Sequence, residues 1–479
     1  MLMILACLFP ALAGTLVCVS GMQIRTRNRC LGVCVLATDL LCAAAALQGG
    51  RVSFLTLAEN LHMTFAADDM GIFFLAAVLL LYTAVCFYAF EYMEREERTG
   101  MFFSFYFLSF GALIAVCFAG NLLTLYFCFE MLTLLSMPMV LQEMTKEAIA
   151  AALKYLFYSI AGALMGLFAV FFVYFFAEGS AEFVRGGFLD AAKLAGHESV
   201  LLAAVMAGIS GFGTKAGLYP MHGWLPTAHP IAPAPASALL SGIIAKAGVI
   251  AVIRLVYYSV GEELIRGTWV QYAWMTLAML TIFMGSMMAF REKVTKKRLA
   301  YSTVSQISYI LLALSFLSED GLKGALLHVI SHASAKGCLF LCAGVFICRL
   351  GRHRVEELRG VGKLMPKTMI FFTAASLSLV GIPPMGGFLS KWVIASAALK
   401  DGMGVWAVLP PVILLISALL TAGYLFTVVV NAFFPGEEFR EDLAPGSAEP
   451  SRLMTVPMFC LCAVSLAAGL FGLTLVRGF

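Results

Sequence analysis

The sequence predicts an all-α polytopic membrane protein with about fourteen spanning helices. Of the 479 residues, 61% are hydrophobic and only 13% are charged, and the mean hydropathy is +0.92. Apolar runs of about 20 residues, the length that a helix needs to cross a bilayer, follow one another along the whole chain. The polar stretches between them are too short to fold alone. We therefore predict a single integral membrane domain, residues 1–479, embedded in a lipid bilayer.

The predicted helices follow from the apolar runs in chain order. They lie at about 2–21, 30–48, 71–92, 102–119, 121–142, 150–177, 199–218, 235–258, 269–290, 300–317, 322–348, 368–398, 407–434 and 453–476. Three N-terminal helices fall in residues 1–100, five in 101–260, five in 265–434, and a C-terminal helix in 453–476.

Two of these helices, 199–218 and 368–398, are interrupted or extended by glycine and proline. Proline removes a helix donor and clashes with the preceding turn. Unwound backbone at membrane depth is tolerated only inside protein or beside water. A matched pair of broken helices in two halves is typical of inverted-repeat transporters. We therefore predict that helices 4–8 and 9–13 form two inverted five-helix repeats, with helices 7 and 12 broken.

Basic residues predict the orientation. They follow odd-numbered helices, at 25–29, 291–298 and 349–367, whereas loops after even-numbered helices are acidic. Cytoplasmic loops carry the excess of Lys and Arg, so both termini are expected outside the inner membrane of a prokaryotic cell. No basic region precedes the first apolar run, which argues against a cleaved signal peptide. The net charge of +4 follows from this topology and gives no reason to expect nucleic acid.

Thirteen cysteines are scattered through the helices without a C-x-x-C pair. Iron–sulfur and zinc sites need several converging thiolates, so we interpret these cysteines as small packing residues. The sequence also contains no phosphate loop or dinucleotide motif. We expect no metal and no cofactor in this chain, and hence an energy source elsewhere.

Ionisable residues inside the apolar runs are the candidate functional groups. A charge at bilayer depth costs about 2.5–3.5 kcal/mol on insertion scales, and such groups usually mark an ion or proton path. Seven residues have this placement: Glu130, Lys215, Lys246, His328, His332, Lys336 and Lys391.

Glu130 and Lys215 suggest a carboxylate–amine pair at the core of the bundle. A lysine whose acidic partner approaches or retreats changes its hold on a proton; the alternative is a static ion pair. Lys246 lies too deep in its helix to reach either surface, which favours a relay.

His328, His332 and Lys336 are spaced four residues apart and share one helix face. Histidine titrates near neutrality and suits a proton shuttle, although an i, i+4 histidine pair can also bind metal. Lys391 follows the second break and is interpreted as the exit-side group.

Three further residues leave both a functional and a structural interpretation open. His222 and His229 lie in the connection between helices 7 and 8, where they could load protons or cap the connection. Lys154, near the start of helix 6, could act or simply extend to the surface. Asp39 has no clear partner in the sequence and stays unassigned. Asp68 and Asp69 are interpreted as solvated groups at an outer helix end, and Arg254 as an anchor or pair.

The residues together resemble a known family. The motifs are Asn121–Ser136 with Glu130, Lys154-Tyr155, Lys215…Pro220-Met-His222-Gly-Trp224-Leu-Pro226-Thr-Ala-His229…Lys246, Arg298-Leu-Ala-Tyr301…Gln306-Ile-Ser-Tyr309, His328…His332…Lys336 and Gly381-Ile-Pro-Pro…Lys391. They are similar to the antiporter-like subunits of respiratory complex I, energy-converting membrane-bound hydrogenases, formate hydrogenlyase-type complexes and Mrp-type Na⁺/H⁺ antiporters.

The resemblance implies fourteen helices in two inverted repeats. It implies that Glu130 and Lys215 are the input pair and Lys246 the central relay, with His328 and His332 continuing the axis to Lys391. Two features differ: His332-Ala-Ser-Ala-Lys336 lacks the family's bulky pair, and the chain ends without the lateral helix of the distal subunit class. Lys391 in place of Glu argues against the middle class of complex I.

We therefore expect a subunit that translocates protons, or exchanges Na⁺ for H⁺, within a redox-driven complex. Its expected partners are homologous and small membrane subunits and a peripheral module with Fe–S proteins; the chain itself performs no redox chemistry. The expected route enters near the break of helix 7, loads Lys215, passes Lys246, His332 and His328, and leaves by Lys391. A component of an Mrp-type antiporter and a non-conducting scaffold remain as alternatives. A carrier of organic solutes would need a larger cavity of mixed polar groups.

Overall fold

The computed structural model describes residues 1–58, 61–179, 181–400, 402–436, 446 and 448–479. These residues form twenty α-helices. They are α1 Leu2–Val19, α2 Ile24–Gln48, α3 Asp69–Tyr92, α4 Thr99–Phe118, α5 Leu122–Val140, α6 Lys146–Phe175, α7 Ala191–Leu194, α8 Glu198–Ala216, α9 Leu225–Ile231, α10 Ala234–Leu239, α11 Lys246–Leu255, α12 Glu262–Ile265, α13 Trp269–Arg291, α14 Thr295–Leu314, α15 Glu319–Leu350, α16 Val361–Leu364, α17 Pro366–Val380, α18 Gly386–Lys400, α19 Val405–Phe433 and α20 Arg452–Leu475.

The predicted helical membrane fold is confirmed. Among the described residues, twelve helical stretches are long and apolar enough to cross a membrane. The stretch Ala234–Val260 counts as one of them and contains α10, α11 and two π-helical segments, Leu240–Ile244 and Val256–Val260. Helix α14 is not one of these twelve, and neither are α17 and α18, the two helices on either side of the second break. The number fourteen and the inverted relation of the repeats therefore stay predictions.

A β-hairpin between α2 and α3 was missing from the all-α prediction. Its strands are β1 Arg51–Ala58 and β2 Leu61–Ala66, paired antiparallel with Arg51 opposite Ala66. The hairpin meets the start of α5, where the Thr124 hydroxyl accepts a hydrogen bond from the Thr64 amide at 2.9 Å. The hairpin escaped sequence reasoning because its strands are too short and too apolar to stand out beside the spanning helices.

Both predicted helix breaks are present. Helix α8 ends at Ala216 and is capped by Gly217, which has a φ of +81°, and the chain turns through 217–224 before α9 begins. Helix α17 ends at Val380 and is capped by Gly381, which has a φ of +94°, and α18 begins five residues after this glycine. Glycine adopts this left-handed conformation at little cost, so each break is encoded by a glycine followed by proline.

The chain divides into two compact units. Unit 1 comprises residues 1–83, 97–224 and 243–274, and unit 2 comprises residues 84–96, 225–242 and 275–479. In unit 1, α6 and α8 pack closely through glycines: a Cβ on Gly211 would lie 2.4 Å from the Gly162 carbonyl oxygen. In unit 2, a Cβ on Gly386 would lie 2.5 Å from the Ser331 hydroxyl of α15. Small residues at these contacts let helix backbones approach, as is usual in membrane bundles.

Candidate functional site

In unit 1, Lys215 of α8 lies against α5 and is buried. Its amine donates a hydrogen bond to the Thr133 hydroxyl. The same nitrogen lies 4.8 Å from the centroid of the Phe129 ring and 5.7 Å from that of Tyr155. Aromatic faces attract a cation within about 6 Å. The site therefore accommodates a charged amine by rings and a neutral hydroxyl.

Glu130 lies one turn before Thr133 on α5 and is half-buried. It is the acidic group whose charge acts on Lys215. Its Oε1 atom makes no hydrogen bond among the described residues, and the ion pairs formed by those residues do not include Glu130 with Lys215. The predicted pair is thus brought together but is open, with the amine on Thr133 instead.

Lys246 is the first residue of α11 and is buried in unit 1. One residue separates it from the π-helical segment Leu240–Ile244. π-helical turns are rare and frequently lie at functional sites. Gly248 lets α11 approach α8, because a Cβ there would lie 2.4 Å from the Phe212 carbonyl oxygen. Sequence reasoning did not find the π segment, since its signal is a hydrogen-bond pattern and not a residue type.

Lys154 and His222 lie near the same surface of unit 1. Lys154 is exposed on α6, and its side chain lies beside the turn that contains His222. The His222 ring stacks on Tyr219 with centroids 5.8 Å apart. Burial, and then the positive charge of Lys154, lower the pKa of His222 below its usual value. The ring is therefore neutral at neutral pH and able to accept a proton.

Tyr155 joins this surface to Lys215. Its hydroxyl is 2.8 Å from that of Ser136, and its ring packs on Trp224 with centroids 4.6 Å apart. The Trp224 indole donates to the Thr214 carbonyl at 2.9 Å, which fixes the turn against the end of α8. The motif residue Trp224 thus has a structural role that the sequence did not specify.

In unit 2, His328, His332 and Lys336 share one face of α15 and are buried. The two imidazole centroids are 6.0 Å apart. His328 Nδ1 lies 2.9 Å from the Ser390 hydroxyl, and the Lys336 amine donates to the Leu299 carbonyl at 3.0 Å. The predicted stack of three bases is present.

Lys391 of α18 turns back toward the break before it. Its half-buried amine donates to the carbonyl oxygens of Leu379 and Val380, the latter at 2.9 Å. These carbonyls belong to the last turn of α17, where the helix dipole is negative and a cation is stabilised. The nitrogen also lies 5.2 Å from the centroid of the Tyr309 ring. Tyr309 and Ser390 are neighbours of the basic groups that sequence reasoning had not assigned.

His229 belongs to unit 2 and is buried. Its ring stacks on Phe340 with centroids 4.8 Å apart, and its carbonyl oxygen accepts a hydrogen bond from the Ser237 hydroxyl at 3.0 Å. Lys296 donates to the carbonyls of Pro230 and Ala232 in the same connection. His229 therefore packs inside the connection, and its alternatives stay open.

Two minor interpretations change, those of Asp68 and Asp39, and the interpretation of Arg254 is confirmed. Asp68 is not merely solvated, because both its oxygens accept hydrogen bonds from Arg254 at 2.6 Å; the same pair confirms the expected partner for Arg254. Asp39 has a partner, since the Thr83 hydroxyl donates to it at 2.6 Å. The sequence could not indicate either contact, because each joins residues far apart in the chain.

Three cysteines that are scattered in the sequence lie close together in the structure. The sulfur of Cys338 lies 3.4 Å from that of Cys462 and 3.9 Å from that of Cys342. The cysteines of the described residues are free thiols. Within that part of the chain, no group of three or more His, Cys, Asp or Glu is arranged to hold a metal ion.

Known proteins share this sequence pattern. Residues 119–421 match the family model described as NADH:quinone oxidoreductase/Mrp antiporter, TM. Subunit N of the NADH-quinone oxidoreductase of Desulforudis audaxviator is 33% identical over 406 residues, which cover 81% of this chain and 78% of that protein. Hydrogenase-4 component B of Escherichia coli is 32% identical over 351 residues, covering 70% of this chain and 51% of that protein. The chain is thus matched to about half the length of that second relative.

A solved structure shares the fold. One chain of the Mrp complex from Dietzia sp. superposes with a TM-score of 0.84 at 22% sequence identity, covering 100% of this chain and 96% of that one. At this identity the likeness concerns the fold alone.

Proposed function

Because this chain belongs to the NADH:quinone oxidoreductase/Mrp antiporter membrane family, we propose that it translocates protons as one membrane subunit of a redox-driven complex. Two relatives above 30% identity carry names of redox complexes, subunit N of an NADH-quinone oxidoreductase and component B of a hydrogenase. They favour a redox-driven partner over an opposing Na⁺ gradient. The electron carriers belong to the partners, and this chain supplies the proton path.

One observation carries the proposal: the amines of three lysines in the helices form hydrogen bonds with oxygens that carry no charge. Lys215 binds a hydroxyl, whereas Lys336 and Lys391 bind backbone carbonyls. Removing a proton from an amine that is locked to a buried carboxylate leaves an uncompensated charge, which costs several kcal/mol. Removing it from an amine on a neutral oxygen leaves no such charge. These lysines can therefore alternate between charged and neutral forms.

In this proposal, Glu130 controls how tightly Lys215 binds its proton. When its carboxylate approaches Lys215, the ammonium is stabilised; when it retreats, the proton is released toward Lys246. Two unit charges 4 Å apart interact by about 4 kcal/mol at an effective dielectric constant of 20. Moving one charge across the membrane requires about 2.3 kcal/mol per 100 mV. Opening the pair requires work from the partners, and it weakens the hold of Lys215 on its proton by more than the free energy needed to move one charge against 100 mV.

The proposed route has the order of the chain. Protons enter by Lys154 and His222, load Lys215 and pass to Lys246. They continue through the α15 bases His332 and His328, with Lys336 beside them, and leave by Lys391. His229 is kept as a second candidate for loading. The proposed orientation has both termini outside a prokaryotic inner membrane, and the proposed partners are homologous and small membrane subunits with an Fe–S module.

Replacing Lys215 tests the proposal. The complex is extracted in mild detergent with its co-purifying subunits and reconstituted in liposomes that contain pyranine. A potassium diffusion potential set by valinomycin then drives proton uptake. We expect Lys215→Met to reduce uptake to the rate of protein-free liposomes, because the variant has no amine to load. The exposed Lys193 of unit 1 provides the matched control, Lys193→Met, which should conduct normally.

Uptake by Lys215→Met within about twofold of the parent rate would contradict the proposal and favour the scaffold alternative. Mass spectrometry of the same preparation tests the partners. Co-purified Fe–S proteins are expected, and their absence from an intact, conducting complex would favour an antiporter instead.

A further inference from the structure

Tyr309 of α14 contacts two basic groups of unit 2 at once. Its side chain is fully buried. The Lys391 nitrogen lies 5.2 Å from the centroid of its ring, and the His328 ring centroid lies 5.3 Å away at an interplanar angle of 41°. A cation within about 6 Å of an aromatic face is attracted to it, most strongly where water is excluded. Tyr309 is therefore placed to act on both groups.

A cluster of hydroxyl groups fixes the tyrosine ring. The Tyr309 hydroxyl donates to Ser417 of α19 at 2.7 Å. The Ser417 hydroxyl lies 2.5 Å from that of Ser286 and 3.2 Å from that of Ser305, and the last two are 2.7 Å apart. These buried hydroxyls come from α13, α14 and α19 and satisfy one another. A satisfied buried polar network holds a side chain in one orientation.

Lys391 is enclosed between this ring and the end of α17. The carbonyls of Leu379 and Val380 accept its hydrogen bonds. Ser390, which precedes Lys391 in α18, contacts His328 of α15 at 2.9 Å. Lys391 thus contacts the Tyr309 ring of α14 and the carbonyls of α17, while His328 of α15 reaches the same ring and Ser390, and Ser417 of α19 binds the Tyr309 hydroxyl. The ring thus forms the apolar wall of the lysine's surroundings.

We propose that Tyr309 is a positioning residue for the last transfer, from His328 to Lys391. Its ring face binds the ammonium form and holds it against the end of α17. A neutral amine has no such attraction, so the contact separates the two protonation states of Lys391. This inference rests on the proposed function, in which Lys391 carries the exiting proton.

Two variants of Tyr309 and one matched control test this role in the liposome assay. Tyr309→Leu removes the ring face; we expect uptake to fall about tenfold and the pH of half-maximal uptake to move about one unit lower. Tyr309→Phe keeps the ring and should retain the parent pH profile with uptake within about threefold. Tyr424 is also buried and hydroxyl-bonded to serine, at 2.6 Å from Ser302. Tyr424→Leu should leave the pH profile unchanged.

A parent-like pH profile in Tyr309→Leu, or an equal shift in Tyr424→Leu, would overturn the inference. If Tyr309→Leu does not assemble, 3,4,5-trifluorophenylalanine at position 309 is compared with Tyr309→Phe. Fluorination weakens the attraction of the ring for a cation while it nearly preserves the shape. The fluorinated protein should then show the shift to lower pH, and an unchanged profile would refute the inference.

Lys391→Met separates this inference from the proposed function. Parent-like uptake in Lys391→Met would refute the proposed function itself. Loss of uptake in Lys391→Met together with parent-like behaviour of Tyr309→Leu would refute the role of Tyr309 alone.

Discussion

At the scale of single residues, what matters is which atoms surround each buried base. The amines of Lys215, Lys336 and Lys391 are held by a hydroxyl or by carbonyl oxygens, and two of them also face aromatic rings. These partners tolerate both the charged and the neutral amine. A sequence identifies the bases themselves, because charges stand out in apolar helices. It does not assign a role to Thr133 or Tyr309, although both lie within the quoted motifs, because threonine and tyrosine are ordinary residues of membrane helices.

The pH dependence of His222 tests how its neighbours act on a single residue. Burial and the charge of Lys154 both lower its pKa below the usual value of about 6.5. The ring therefore becomes protonated at a lower pH than an ordinary histidine side chain does. Removing the positive charge of Lys154 should raise the pKa of His222 toward its usual value and leave the effect of burial.

Lys154→Gln is expected to move the titration of His222 to higher pH. Diethylpyrocarbonate modifies the neutral imidazole, so the extent of modification at His222, measured by mass spectrometry across pH, gives the midpoint. Lys146→Gln removes a charge from the same helix, two turns away, and should leave the midpoint in place. An unchanged midpoint in Lys154→Gln, or equal shifts in both variants, would contradict this interpretation.

At the scale of elements, close packing of α6 on α8 positions Lys215. Their contact is lined by glycines: a Cβ on Gly211 would lie 2.4 Å from the Gly162 carbonyl oxygen and 2.6 Å from the Gly166 amide nitrogen. Real side chains do not approach backbone this closely. Any larger residue must therefore push α6 away and disturb the residue pair Thr214 and Lys215 at the end of α8.

Gly211→Ala should lower the free energy of unfolding by about 1–3 kcal/mol, the usual cost of overpacking. The measurement is the thermal unfolding midpoint of the detergent-extracted complex, which should fall. Gly100→Ala is the matched helical control, since the nearest atom to its Cβ, the Cys18 carbonyl oxygen, is 3.5 Å away. Equal midpoints for the two variants would show that the α6–α8 contact is not tight.

The helices and strands also show how much of the fold the sequence predicts. The apolar runs predicted most helix positions to within a few residues, and the glycine–proline breaks predicted where α8 and α17 end. The hairpin β1–β2 and the π-helical segment Leu240–Ile244 were not predicted. Hydropathy reports burial in lipid, whereas strand pairing and the hydrogen-bond pattern within a helix depend on contacts that hydropathy does not record.

At the scale of the whole molecule, each compact unit contains its own buried bases. Unit 1 holds the buried Lys215 and Lys246, and unit 2 holds the buried α15 bases and the half-buried Lys391. In the proposed mechanism, these bases are successive proton-binding positions on one route. A single route and two independent routes make different predictions when these positions are removed singly and together.

The most direct measurement is therefore potential-driven proton uptake by Lys246→Met, Lys391→Met and the double variant. The exposed Lys400 on the same helix as Lys391 serves as control in Lys400→Met. One route predicts that each single variant falls to the rate of protein-free liposomes, that the double variant is no lower, and that the control conducts normally. If each single variant keeps about half of the uptake and only the double variant abolishes it, the proposed relay is contradicted.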